Sequence, residues 1–365
     1  MTQSLDLGGL VRGVLSVTGG PVLHHPPHVT KEDVMAVMDQ LRDLGSYDHM
    51  NKFEAALAYR CGRKYAVAVS SGTSALEVAL AAMGVRANSK VAVPALGFVA
   101  AANSVSHRGA TPILIDVTAD DFGISPLCLK RIGPSVDAVI AIHNLGHPCR
   151  IDEIVEIAHF HGVPVIEDAA EALGSVAYGE KPCGSNGVLS VLSFNLNKIV
   201  TTGGGGAVLC DDQRLQSLIR RLATTARVEH QWFIEHDHVA WNHRMPMLCA
   251  ALGLSQLQRL DLMVAAKRRL SAAYEVALSD VEGVEFHNER PGTVSNHWLP
   301  TIMVPPHERD SVLTALRNAG VYARAMFTPL NQLKPYLQKG FPTADAVFRS
   351  AVCLPAGIEL AERYL

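Results

Sequence analysis

A chain of 365 residues with a formal charge of −3 has no general attraction for nucleic acid or an anionic membrane, so any anionic ligand needs local groups to hold it. Its 48% hydrophobic and 18% charged residues are ordinary for a globular α/β protein, long enough for a large domain plus a smaller one. Seven dispersed cysteines without a C-x-x-C pair, no signal-peptide build and no apolar run of about twenty residues lead us to expect reduced thiols, a cytoplasmic location and no membrane span.

Residues 1–30 read as irregular, with a Pro-rich run at His24-His-Pro-Pro27. Thr30 looks like the N-cap of a helix reaching Leu44, with Val34, Val37, Met38 and Leu41 on one face. Gly45-Ser-Tyr47 breaks it, and a second helix covers Asn51 to Tyr59. The stretch Val67-Ala-Val-Ser-Ser-Gly-Thr-Ser-Ala-Leu-Glu-Val-Ala-Leu80 runs from strand through turn to helix, with Leu76, Ala79 and Leu80 at helical spacing. Free N–H groups and small hydroxyls at such a helix start make a phosphate site, although a plain capped helix has the same wording. Lys90 to Pro94 forms a strand, followed by Phe98 and a helical run from Val99 to Asn103. Ile113–Val117 and Val136–His143 are further strands. Their alternation with helices implies a mostly parallel sheet. His143 and His147 are not ligand-spaced with any cysteine pair, so no metal is expected.

Val163 to Ile166 reads as a short buried strand, with Asp168 just past its C-terminal end, where open α/β sheets place ligand groups. A carboxylate there suits the ring nitrogen of pyridoxal phosphate, whose pyridinium it keeps protonated. Taken alone, an aspartate there is more often a helix N-cap. Val188, Leu189, Val191 and Leu192 look like another buried strand, followed by Lys198 and four glycines, Gly203 to Gly206. A desolvated ε-amine at that point can form a Schiff base, whereas an isolated one would be a solvated loop lysine. Residues 207–225 return to a strand and then a basic helix, and Arg227 to Asn242 reads as a loop. One long helix is expected from Pro246 to about Leu278. The division is placed at a large cofactor-binding domain, 1–250, and a small α+β domain, 251–365, built on Val284–Phe286, Trp298–Val304 and Val312–Ala319.

Three motifs then combine. Ser71-Gly-Thr-x-Ala-Leu76, Glu167-Asp-Ala-Ala170 and Ser193-Phe-x-x-x-Lys198, with Thr201-Thr-Gly-x-Gly-Gly206 behind it, occur in that order. From about Leu15 to Pro355 the chain resembles the DegT/DnrJ/EryC1/StrS sugar aminotransferases. The resemblance implies a fold-type-I transferase, aspartate aminotransferase-like, that uses pyridoxal 5'-phosphate and passes through its pyridoxamine form. It implies that Lys198 and Asp168 are catalytic, Gly72, Thr73 and Ser193 cradle the phosphate, Phe98 stacks on the ring and Glu171 stands near the phenolic oxygen. Ala240-Trp-Asn-His-Arg-Met245 resembles the family's Gly-Tyr-Asn-Tyr-Arg-Met, a loop that crosses a homodimer interface. Asn242 would therefore reach the partner's phosphate, while Ala240, Trp241 and His243 depart from the pattern. Tyr47, Arg244 and Arg324 are the implied substrate contacts.

The wording Asn197-Lys-x-x-Thr-Thr-Gly203 resembles the branch that aminates C4 of nucleotide-linked keto-6-deoxy sugars, with L-glutamate as donor, for surface polysaccharide or glycoconjugate synthesis. Gly146-His-Pro148 and Glu167 to Ser175 resemble aminotransferases for bacillosamine- and legionaminic-acid-type sugars. The alternatives are amination at C3, a lyase of the same fold type, and a non-catalytic regulator that binds the cofactor or a sugar nucleotide. A related dehydratase would carry histidine in place of Lys198.

Overall fold

Alternate residues along single strands face two different cores. In β1 (Tyr65–Val69), Val67 and Val69 point to one hydrophobic cluster while Ala66 and Ala68 point to the other. That period of two, with apolar residues on both faces, is the mark of a sheet covered on both sides. The computed structural model describes residues 5–22, 27–228 and 230–363. The chain opens with α1 (Leu7–Thr18), α2 (Lys31–Arg42) and α3 (Asp48–Arg60) ahead of β1. It then alternates through α4 (Gly72–Ala82), β2 (Lys90–Pro94), α5 (Ala100–His107), β3 (Thr111–Ile115), α6 (Pro126–Ile132), β4 (Ala138–Ile142), α7 (Ile151–Phe160) and β5 (Val165–Asp168). A short hairpin, β6 (Val176–Ala177) and β7 (Lys181–Pro182), leads to β8 (Leu189–Ser193), β9 (Gly206–Cys210) and α8 (Gln213–Ala223). The seven-stranded sheet has the order β1-β9-β8-β5-β4-β2-β3. From β8 to β3 it is parallel, and β9 runs antiparallel to both of its neighbours. The loop joining β8 to β9 therefore turns back at the sheet's C-terminal edge, and Lys198 lies in it.

A two-residue ladder, β10 (Arg227–Val228) with β11 (Glu235–His236), interrupts the stretch read as a loop. α9 (Met247–Gln258) and α10 (Leu260–Leu278) follow. The single helix expected here is broken at Arg259, whose ψ is 6° and whose guanidinium donates to Asp33 of α2 at 2.7 Å. The C-terminal unit is an antiparallel sheet ordered β12-β13-β15-β14, formed by β12 (Glu285–Phe286), β13 (Thr301–Met303), β14 (Arg324–Ala325) and β15 (Ala351–Cys353). It carries α11 (Arg309–Asn318), α12 (Pro342–Ser350) and α13 (Ile358–Glu362). Its core takes in Leu10, Val14 and Val17 of α1 beside Leu270, Tyr274, Ile302 and Val352.

Helix α1 corrects the irregular reading of the N-terminus. Three glycines weaken its propensity, but Gly13 lets the backbone lie against α10, where a Cβ would sit 2.7 Å from the Ala277 carbonyl. Residues 24–26 of the Pro-rich run lie outside the described residues. In α2 the cap at Thr30 forms a capping box with Asp33, but the helix ends at Arg42 and its faces are reversed. Asp33 and Gln40 are buried, while Val34, Met35, Met38 and Leu41 are at least half exposed. The reason is α9, which offers Ser255 and Gln256 as donors to Asp33 at 2.6 and 2.7 Å.

Imidazoles join the two units. Phe122 stacks on His287 with centroids 3.9 Å apart, and His147 stands edge-on to His287 at 4.6 Å and to His297 at 5.3 Å.

Candidate active site

The C-terminal ends of β5 and β8 and the start of α4 enclose a cavity of about 390 Å³. Asp168 is the last residue of β5 rather than a residue beyond it, because its backbone still pairs with Ile142 in β4. The chain then turns instead of starting a helix, so Asp168 caps none. Its Oδ1 accepts the Ala170 N–H at 3.0 Å. Burial pushes its pKa up to about 6; the Ala170 N–H opposes that, Glu171 adds to it, and Lys198 opposes it. A carboxylate in that position gains from a cationic N–H partner, which is what the ring nitrogen of pyridoxal phosphate offers.

Lys198 reaches into the cavity from the loop between β8 and β9. Its Nζ donates to Glu171 Oε1 at 3.3 Å, and Glu171 Oε2 accepts the Leu145 N–H at 2.8 Å. At the start of α4, Ser71 Oγ takes the Ser74 N–H at 2.9 Å. The first N–H groups of a helix have no partner within it, which leaves Gly72 and Thr73 to serve an anion. A Cβ on Gly72 would lie 2.8 Å from Ser193 Cβ, so only glycine lets the helix start and Ser193 share one cradle. Phe98, half exposed, lines the same cavity 5.7 Å from the Phe327 ring. These groups fit pyridoxal phosphate at three points: ring nitrogen, aldehyde and phosphate.

Arg324 also lines this cavity, and its buried Nη2 has no hydrogen-bond partner among the described residues. Tyr47, Asn242 and Arg244 do not line it. They belong to a second cavity of about 720 Å³ that includes Arg220, Arg227 and His230. There Arg244 donates to the Tyr47 hydroxyl at 2.7 Å. Asn242 forms a bridge with Thr224, and the N-cap of α9 is Pro246.

Sequence reasoning missed Trp298, Asn195, Asn197 and Phe327, all of which line the first cavity. Trp298 stood only inside an expected strand, and no motif marked it. It also missed the grouping of His143, Glu167 and Cys183, whose ligand atoms lie within 4.8 Å of one another. His143 Nδ1 accepts the Cys149 N–H at 3.0 Å, so the ring's proton sits on Nε2 and is donated to Glu167 at 2.9 Å. Glu167 also accepts from the Gly184 and Asn186 N–H groups and from Ser190 Oγ. Its lone pairs are taken, which makes the group a hydrogen-bonded brace behind Asp168.

The chain is similar to known proteins. The chain is 34% identical over 360 residues to the putative pyridoxal phosphate-dependent aminotransferase EpsN of Bacillus subtilis, covering 92% of this chain and 91% of that one. It is 37% identical over 293 residues to GDP-perosamine synthase of Caulobacter vibrioides, covering 78% of each. The aminotransferase TlmJ from Streptoalloteichus hindustanus superposes with a TM-score of 0.87 at 27% identity, over 94% of this chain and 97% of that one. The model of the DegT/DnrJ/EryC1/StrS aminotransferase family matches residues 27–364, and the chain belongs to that family of pyridoxal phosphate-dependent aminotransferases.

Proposed function

We propose that the protein moves an amino group from L-glutamate to C4 of a nucleotide-linked keto-6-deoxy sugar, for surface polysaccharide or glycoconjugate synthesis in the cytoplasm. The observation that carries this is the convergence of Lys198, Asp168 and Glu171 with the Gly72–Ser193 cradle in one cavity. Likeness to GDP-perosamine synthase supports a nucleotide-linked sugar, and the Asn197-Lys-x-x-Thr-Thr-Gly203 wording supports C4.

Bound pyridoxal phosphate supplies the carbonyl and the electron sink. The chain supplies the rest. Lys198, once its amine is free, would carry the proton taken from the donor's α-carbon. Asp168 holds the ring nitrogen's charge, and Glu171 sits beside the lysine's amine at 3.3 Å. Gly72, Thr73 and Ser193 hold the phosphate, and Phe98 covers the ring. Arg324, whose buried Nη2 has no hydrogen-bond partner among the described residues, holds the donor's carboxylate.

The working unit is a homodimer. Two exposed apolar surfaces support it: the Val34, Met35, Met38, Leu41 face of α2, and Trp232, Phe233 and Ile234 between β10 and β11. Each chain's Asn242, with Tyr47 and Arg244, then serves the partner's site. Incubation with glutamate and a panel of nucleotide ketosugars, read by mass spectrometry, is expected to give a 4-amino sugar and 2-oxoglutarate. A 3-amino product would move the reaction to C3, and no amination of any ketosugar would overturn the proposal.

A further inference from the structure

We infer, building on the function proposed above, that Trp298 is a positioning residue for Lys198. The C-terminal unit sets this indole against the lysine's amine and ties down the loop that carries it. A reacting amine has to be held to a fraction of an ångström, yet Lys198 stands in a loop on a flexible four-carbon stem. Two contacts from one residue remove that freedom. The indole centroid lies 4.1 Å from Nζ. Its Nε1–H donates at 2.7 Å to the carbonyl of Asn197, the residue before the lysine.

Trp298 is itself 1% exposed and held along its backbone. Its N–H donates to Asn296 Oδ1 at 2.8 Å, and its carbonyl accepts from the buried amine of Lys267 at 3.1 Å. The Asn296 amide in turn donates to the carbonyls of Glu171 and Leu173 at 3.0 and 2.9 Å. Ser295 Oγ donates to the Gly146 carbonyl at 2.9 Å. The two groups that touch Nζ, Glu171 and the indole, are thus fastened to each other. A ring face attracts an ammonium but cannot take its proton. The indole gives the amine a resting place without competing for the proton that Lys198 has to move.

The test uses the full-length protein with Trp298→Phe, which keeps a ring, and Trp298→Leu, which does not. Trp298→Met replaces the leucine variant if circular dichroism shows that the latter is unfolded. In apoprotein, Lys198→Met should change the intrinsic emission of the buried indole. The same change made on a Trp298→Phe background should leave emission unaltered, and an equal change there would overturn the contact. The second readout is the rate at which apoprotein captures pyridoxal phosphate, followed by absorbance. Loss of the ring should slow capture and lower kcat about tenfold, because the amine then samples positions away from the reacting atoms. KM for either substrate should stay within about threefold, and Trp298→Phe should recover part of both rates, because it keeps the ring face and loses the Nε1–H bond to Asn197. Native rates without a ring or a defect confined to KM would each overturn the inference. Wild-type apoprotein that captures no cofactor would instead sink the aminotransferase reading, with the emission result still standing.

Discussion

Asp168 pays for its place in the cavity. Its pKa rises from 3.8 to about 6 through burial, so the apoprotein binds a proton there that the unfolded chain releases. A raised carboxylate favours folding below about pH 4 and loses that contribution as pH climbs through 6, on the order of 3 kcal/mol. Asp168→Asn has the same shape and no charge to bury. Its apoprotein should melt a few degrees above wild type at pH 8, with the difference gone near pH 4. Turnover should fall on the order of 10²-fold or more, because the ring nitrogen loses its counter-charge. Scanning calorimetry and steady-state kinetics read the two effects, and a variant with near-native turnover contradicts the assigned role. For Lys198, borohydride should fix the cofactor to this residue in a peptide map, and Lys198→Ala should abolish turnover with the fold intact. Label on another lysine would displace it. Both residues were legible because each sits in a local motif. Trp298 was not, since it meets Asn197 across 101 positions and no neighbouring residue announces the contact.

At the scale of elements, the start of α4 is set by a single missing methyl group. Gly72→Ala would put a Cβ 2.8 Å from Ser193 Cβ and spread the cradle. Affinity for pyridoxal phosphate should weaken about tenfold or more, one to two lost hydrogen bonds to an anion. Equilibrium dialysis checks this, and native affinity would remove both residues from the phosphate site. Helix α2 shows where reading by periodicity stops. Its apolar stripe is plain, but the inward face belongs to Asp33, to which α9 presents a donor 222 positions away, and to Gln40, whose amide donates to the Asp43 and Ser46 carbonyls. Asp33→Ala should destabilise the protein by roughly 2–4 kcal/mol in urea unfolding, by leaving Arg259 and Ser255 without their acceptor. The strands of the seven-stranded sheet were legible from their apolar runs, whereas β10, β11, β14 and β15 were not. Helix α1 was not, since its glycines hide a helix that close packing on α10 stabilises.

The whole molecule responds to acid through its interunit imidazoles. Burial holds His147 and His297 down at about 3, with neighbouring cations adding to it, and holds His287 well below its ordinary value. Folded, the three stay neutral, whereas the unfolded chain takes up protons below about pH 6.5. Their contribution is complete above that pH and is lost as pH falls, with a slope approaching ~4 kcal/mol per pH unit for three groups. Asp168 and Asp121, both raised by burial, work in the opposite direction but are two groups against three. Urea midpoints should therefore drop steeply between pH 6.5 and 4.5, and a flat profile would show that the rings are hydrated. Assembly has its own test. Inactive Lys198→Ala and Asn242→Ala chains, allowed to exchange, should regain part of the activity, because each mixed dimer holds one intact site. No recovery despite mixed dimers would return Asn242 to its own chain.

The fastening of Ser295 to Leu299 onto the turn at Leu145 and Gly146 also limits how the enzyme can open. Domain rotation around a ligand needs a hinge and an interface that separates readily. Here Ser295 Oγ and the Leu299 N–H bond to that turn, and the Asn296 amide bonds to the carbonyls behind Glu171. A swing of the C-terminal unit would break all of these and pull Trp298 off the lysine at once. Ligand entry then has to be accommodated by lining side chains such as Phe98, Phe327 and Arg324 moving against a fixed frame.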